Sequence, residues 1–352
     1  MIARQMRAAR LHKAGTPLSI ETVPVPEPGP NQILLEVAAC GLCGTDIHLA
    51  VEGDIPVARV PITLGHEAAG TIAALGEGVS SFTLGQRVAL FPSPVCGRCR
   101  FCRVGRESLC EATQAYGMSA DGALAQYVVA PAFGVIAIPD EVDFATAAIV
   151  TDGVSTPLHA LRSRGALRAG EAVAIVGCGG LGAHAILLAR MMGAGFVAAI
   201  DTQPQARERA VEFGADLAID PGEESNPGRA IRARLGRGVD LALEFVGRPE
   251  TVDMTLRCLD TGGRAVLVGV GPGRATLPPL VSFVAREHSV IGSFGMDKRD
   301  IADLFALVAR GRLDLSRSVT RSYPLAGVNE ALRHLASKDA GVVRLVIEPG
   351  RL

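Results

Sequence analysis

Within Cys40-Gly-Leu-Cys43-Gly-Thr45-Asp46-Ile-His48, a thiol, a hydroxyl, a carboxylate and an imidazole fall inside nine residues. Thiolate and neutral imidazole are ligands that zinc prefers, and a zinc centre that does chemistry uses three protein ligands and keeps a fourth position open. Cys43 is a candidate first ligand, and His66, in Gly65-His66-Glu67, a candidate second. A separate set, Cys96-x2-Cys99-x2-Cys102-x7-Cys110, has the spacing to close four thiolates around one tetrahedral ion. Iron-sulfur clusters share the first spacings, but the x7 step and the lack of a nearby Cys-Pro favour zinc. Eight cysteines in a long chain, whose first residues lack the apolar core of a signal peptide, point to metal ligation rather than disulfides.

A third stretch has the chemistry of a phosphate cradle. Val173-Ala-Ile-Val176 predicts a buried strand that runs into Gly177-Cys-Gly179-Gly180-Leu181-Gly182, followed by a helical pattern over 183–190. The next strand, Phe196–Ile200, ends at Asp201, nineteen residues after Gly182. Strand, glycine loop, helix and delayed carboxylate together make a complete dinucleotide fingerprint, which a bare glycine motif is not. The glycines let a pyrophosphate approach the free amide hydrogens of the helix N-terminus. Asp201 is placed to accept hydrogen bonds from the adenosine ribose, and its charge repels a 2'-phosphate, so NAD is expected over NADP.

Elements of two kinds must position these residues. A chain of 352 residues exceeds what one core usually serves, so two domains are expected. Residues 6–40 alternate short strand-like runs with Pro-rich turns, a pattern that continues over 70–75 and 86–90 and suits a small antiparallel barrel with functional loops. Four further strand candidates, at 217–219, 239–245, 264–268 and 289–291, bring the second half to six, the complement of a doubly wound parallel sheet. Helical patterns at 300–310 and 328–336 and a strand at 342–347 fall outside that unit and are expected to complete the first domain. The fold class is therefore α/β: a barrel domain from 1–152 and 290–352 with a metal lobe at about 94–112, and a Rossmann-type domain over 153–289.

Composition excludes some partners. A formal net charge of -1 gives no general electrostatic reason to bind nucleic acid or an anionic membrane surface. No run of about 18 apolar residues is present to span a bilayer, and a cytoplasmic protein is expected.

Taken together, Cys43-Gly-Thr45-Asp46-Ile-His48, Gly65-His66-Glu67, the four-cysteine lobe and the Gly177–Asp201 fingerprint, in that order, resemble the zinc-containing medium-chain alcohol dehydrogenases over essentially the whole chain. The resemblance implies a GroES-like barrel domain, a nucleotide domain with the active site in the cleft between them, and two zinc ions per chain, one catalytic and one structural. It makes Cys43 and His66 zinc ligands. Where many members carry a third cysteine ligand, this chain reads Val150-Thr151-Asp152-Gly-Val-Ser-Thr156, so Asp152 becomes the third ligand, a harder donor of the same charge. The other role open to Asp152 is to cap a helix beginning near Thr156, with Glu67 completing the site as a matching glutamate does in polyol-dehydrogenase-like relatives.

The resemblance also implies that Thr45 hydrogen-bonds the substrate oxygen, that His48 releases the proton at the surface, and that Asp46 orients the ring of His66. Thr156, Val246, Val268 and Val270 match cofactor-binding positions, the nicotinamide among them, and Arg344 matches a pyrophosphate contact. Gly44 stands where members often place a basic residue for the same pyrophosphate.

The expected reaction is reversible hydride transfer between an alcohol, secondary more readily than primary, and NAD, with zinc as Lewis acid. Thr151–Pro157 resembles bacterial dehydrogenases of bulky secondary alcohols and of cyclic hydroxy compounds, one of which takes a cyclic hydroxyacyl-CoA; a polyol dehydrogenase is the other alternative within the family. A protein that binds zinc and dinucleotide without turnover is the alternative from another class, opposed by the survival of Thr45 and His48. Association as a homodimer or homotetramer, through residues near 275–293, is implied by the family's habit and by two-fold symmetry.

Overall fold

The computed structural model describes residues 2–112, 114–337 and 341–351. The chain divides into two compact units, Met1–Ser155 with Met296–Leu352, and Thr156–Gly295. Strands β1 (Gln5–Leu11), β2 (Ser19–Pro24), β3 (Gln32–Gly41), β4 (Ile62–Thr63), β5 (Glu67–Leu75), β6 (Arg87–Leu90), β7 (Tyr127–Pro131) and β8 (Val135–Ala137) belong to the first unit. β9 (Ala172–Val176), β10 (Phe196–Ile200), β11 (Leu217–Ile219), β12 (Val239–Glu244), β13 (Leu259–Leu267) and β14 (Ser289–Gly292) make the second. β15 (Val319–Pro324) and β16 (Arg344–Glu348) return to the first.

In the first unit, β2-β1-β4 form one small sheet, while a larger sheet runs β15-β16-β3-β5-β6-β8 with β7 also on β3. Leu11, Ile33, Leu35, Ile62, Leu90 and Leu345 are fully buried in the core between their strands. Each contributes on the order of 1.5–3 kcal/mol relative to exposure, and the burial of Ile33 and Leu35 on β3 with Ile72 on β5 sets the register of that pair. That register pairs Gly41 with Glu67, and β16 joins the other side of β3 with Val346 opposite Gly41. The C-terminal strand thereby carries Arg344 to the strand end where His66 and Glu67 stand.

The helical run after β8 starts with Asp143 accepting the backbone N–H of Thr146 at 2.8 Å. It is α-helical over Phe144–Ile149, widens to a π-helical turn over Val150–Val154, and resumes over Ser155–His159. Asp152 therefore lies on the π-helical turn that joins the two α-helical stretches. Helix Lys298–Ala309 begins at Asp297, whose Oδ1 accepts the N–H of Ser108 at 3.1 Å and so ties the C-terminal segment to the cysteine lobe.

The second unit has strand order β11-β10-β9-β12-β13-β14, all parallel. Numbered from β9 as the first strand of the unit, this is the 3-2-1-4-5-6 order of doubly wound dinucleotide domains. β9 (AVAIV) and β10 (FVAAI) are buried at every position, as parallel strands covered on both faces must be. β14 completes the sheet and runs to Gly292, so the second unit extends past the boundary expected at 289 and ends at Gly295.

Candidate functional site

Gly65 adopts φ of 92°, in the left-handed region that glycine alone enters cheaply, and turns His66 out at the head of β5. Cys43 ends the β3 connection, and the π-helical turn aims Asp152 at both. Cys43 Sγ lies 3.4 Å from Asp152 Oδ2, and His66 Nε2 lies 3.7 Å from the same oxygen. A tetrahedral zinc with bonds of about 2.0–2.3 Å holds neighbouring ligand atoms about 3.3–3.8 Å apart. Asp152 stands at such a separation from both Cys43 and His66, and Glu67 also offers an oxygen to the group, all donor atoms lying within 4.8 Å of one another.

The electrostatics fit a divalent cation. Burial, then the charge of Asp152, pushes the Cys43 thiol above its usual range. Burial alone would lower His66, but hydrogen bonding to Asp152 and Cys43 outweighs it and holds the imidazole well above normal. A thiolate and a carboxylate packed together out of water are stabilised by nearby positive charge, which a divalent metal held by them would supply.

Around this cluster, Asp46 is fully buried; its Oδ2 accepts the N–H of Cys43 at 3.0 Å, and its Oδ1 has no hydrogen-bond partner. Its field acts on His66, so it supports both candidate ligands from behind. Thr45 Oγ1 is 3.8 Å from Cys43 Sγ. His48 is partly exposed, with Nδ1 2.7 Å from Glu52 Oε2 and 3.1 Å from Asp54 Oδ1.

Arg344 departs from expectation. Its guanidinium is buried and paired with Glu67 instead of standing free for a pyrophosphate. Burial pushes the Glu67 carboxyl up to about 7, with Arg344 the strongest influence in the other direction.

The lobe brings its four cysteines into one group. Backbone N–H groups of Cys96, Cys99 and Cys102 donate to Cys110 Sγ, Cys96 Sγ and Cys99 Sγ at 3.4, 3.4 and 3.5 Å. Such bonds favour thiolate over thiol, and the Cys99 thiol is lowered to about 6 chiefly by the amide of Cys102. The tetrathiolate set suits zinc, closed to further ligands.

In the second unit, Gly177 has φ of 87° and lies under the side chain of Val246, whose Cγ2 would be 2.6 Å from a Cβ there. A Cβ on Gly182 would collide with the Gly177 carbonyl, which fixes the helix against the strand. At Gly179 a Cβ would meet nothing within 4 Å, so the space above it is open for a phosphate. Gly180 and Leu181 open the helix Gly180–Met191, putting unpaired amides at this opening. Asp201 accepts Cys178 N–H at 2.7 Å and Gln203 N–H at 2.8 Å, fixing its carboxylate beside the loop.

Thr156 is buried, Val268 is buried just beyond β13, and Val270 is 71% exposed. Glu244, which sequence reasoning passed over, is fully buried at the end of β12. Its Oε1 accepts Val246 N–H and Gly247 N–H at 2.8 Å each and the Thr251 hydroxyl at 2.6 Å, and so shapes the loop that carries Val246. A charged residue closing the apolar run Leu241-Ala-Leu243 was the available signal.

A closed thiolate lobe, an open mixed-ligand cluster and a dinucleotide loop in one chain define a metal-assisted oxidoreductase. Residues 29–140 match the alcohol dehydrogenase GroES-like domain, and residues 180–310 match the zinc-binding dehydrogenase domain. A sorbitol dehydrogenase of Bacillus subtilis (strain 168) is 32% identical over 99% of this chain and 99% of its own length. An NAD-dependent alcohol dehydrogenase of Sulfurisphaera tokodaii is 30% identical over 98% of this chain and 100% of its own. Among solved structures, a zinc-binding dehydrogenase from Sinorhizobium meliloti 1021 bound to NADP has a TM-score of 0.88 at 34% identity, covering 99% of this chain and 100% of that one. The chain belongs to the zinc-containing medium-chain alcohol dehydrogenase family. No helix among the described residues is long and apolar enough to cross a membrane.

Proposed function

We propose that this family member oxidises a secondary alcohol to its ketone, reversibly, with NAD as hydride acceptor, at a zinc held by Cys43, His66 and Asp152. The observation that carries the reading is the 3.4 and 3.7 Å approach of Cys43 and His66 to one oxygen of Asp152. Zinc bound there supplies Lewis acidity toward the alcohol oxygen, and NAD supplies the acceptor for hydride. Thr45, on the turn directly after Cys43, takes the hydrogen bond of the substrate hydroxyl. His48, partly exposed beside Glu52 and Asp54, passes the proton to solvent. Asp201 selects the ribose 2'-hydroxyl of NAD over the 2'-phosphate of NADP.

The second, tetrathiolate zinc orders the lobe and takes no part in turnover. Association of identical chains is supported by the second unit, where edge strand β14 follows a helix, Leu280–Ala285, with no buried residue and with Leu280, Val281 and Val284 exposed. A cytoplasmic location agrees with eight cysteines that form no disulfide. The test is NADH absorbance across a panel of secondary alcohols, diols and ketones with NAD(H) and NADP(H). Turnover of secondary alcohols with NAD, abolished in Cys43→Ala, is the expected outcome. Full turnover in Cys43→Ala contradicts it.

A further inference from the structure

Behind the candidate metal cluster, the buried Glu67–Arg344 pair lies in a slot made by two glycines. On one side is Gly41, paired with Glu67 in the β3–β5 ladder; a Cβ there would collide with Glu67 Oε2 and come within 3.2 Å of its Cβ and Cδ. On the other is Gly153, where a Cβ would come within 2.8 Å of Arg344 Cζ and Nε and 3.0 Å of Nη2. The face of the guanidinium therefore rests on the bare backbone of the same π-helical turn that presents Asp152. Arg344 Nε and Glu67 Oε2 are both buried without a hydrogen-bond partner, so the ion pair itself is the chief polar interaction holding the two groups.

Glu67 offers an oxygen to the same four-residue group as Cys43, His66 and Asp152. A divalent cation attracts a nearby carboxylate strongly in a buried site, and something must compete for it if a coordination position is to stay open. Among the described residues Arg344 is the cation paired directly with that carboxylate, and its guanidinium packs where Gly153 has no side chain. We infer that Gly41 and Gly153 are positioning residues: by seating Arg344 on Glu67 they keep Glu67 out of the ligand set, so that Asp152 completes it and the fourth position stays free for substrate. The inference rests on the proposed Cys43, His66 and Asp152 ligand set. It also links adjacent residues to two tasks, Asp152 to bind the metal and Gly153 to restrain its competitor.

The test replaces the ion of this cluster by cobalt(II), with zinc kept in the lobe, and titrates imidazole while following the cobalt visible bands, which report ligand type and number. Wild type is expected to bind imidazole at the open position. In Gly153→Ala the displaced guanidinium frees Glu67 to take that position, and imidazole affinity is expected to fall about 10-fold or more, in the range typical of outer-shell changes. The double variant Gly153→Ala/Glu67→Gln is expected to recover it. Arg344→Lys, which leaves the helix backbone untouched but removes the planar fork, is expected to show the same loss and decides the matter if Gly153→Ala does not fold. Unchanged imidazole affinity in both variants overturns the inference, as does a loss that Glu67→Gln does not restore. A wild-type cobalt spectrum that is unaltered by Cys43→Ser overturns the ligand set itself, independently of the glycines.

Discussion

Cys43 Sγ and Asp152 Oδ2 stand 3.4 Å apart across 109 residues of chain. One belongs to a strand connection and the other to a helix, and the widened helical turn at Val150–Val154 brings them together. Such π-helical turns recur at functional sites because the extra residue re-aims a side chain without ending the helix. Asp152→Ala is therefore expected to lower kcat/KM by more than about 100-fold, beyond the 10–100-fold usual for outer-shell residues, and to release the metal of this cluster. Asp152→Cys preserves ligand charge and is expected to retain metal. Metal analysis alongside steady-state kinetics checks both; an Asp152→Ala protein with wild-type metal and turnover contradicts the assignment.

The Glu67–Arg344 pair is almost wholly buried, so removing Arg344 leaves a carboxyl out of water without its cation. Arg344→Met alone is expected to cost about 3–5 kcal/mol in urea unfolding of the metal-free protein. The double change Glu67→Gln/Arg344→Met removes both charges and is expected to be substantially less destabilising than the single one. Equal costs would show that the pair is not coupled.

Two glycines of the nucleotide loop separate binding from stability. Gly179→Ala meets open space, so the protein is expected to melt like wild type while NAD binding weakens markedly. Gly182→Ala drives a methyl into the Gly177 carbonyl and is expected to destabilise by about 1–3 kcal/mol, as overpacking does. Thermal melts with and without NAD distinguish the two.

In the lobe, amide donors lower the Cys99 thiol to about 6, while burial and neighbouring thiols raise Cys102 to about 12. After chelation, iodoacetamide at pH 7.5 is expected to label Cys99 well before Cys102, with peptide mapping as the readout. The sign for stability follows from the same shift: a depressed thiol favours the folded form fully above the ordinary value of about 8.5, and that contribution is lost as pH falls through about 6. Labelling of Cys102 first would contradict this ordering.

Much of the site is legible because its chemistry is local in sequence. The Gly177–Gly182 loop and the four-cysteine lobe each lie on one short segment, and ligand spacing or backbone demand dictates their residue types. Six apolar strand candidates likewise suffice for the parallel sheet, since its central strands must be buried on both faces. The role of Arg344 was not legible. Its partner Glu67 is 277 residues away, and only the β16-β3-β5 order makes them neighbours. The π-helical turn was hidden too, because apolar periodicity does not register one residue added to a single turn. Glu244 escaped notice since its partners are backbone amides, which carry no sequence signature.

Anomalous diffraction at the zinc edge, from crystals of the protein grown with zinc and NAD, tests the central claim most directly. Two peaks per chain are expected, one inside the four-cysteine lobe and one bonded to Cys43 Sγ, His66 Nε2 and an oxygen of Asp152. A single peak, confined to the lobe, would contradict the account.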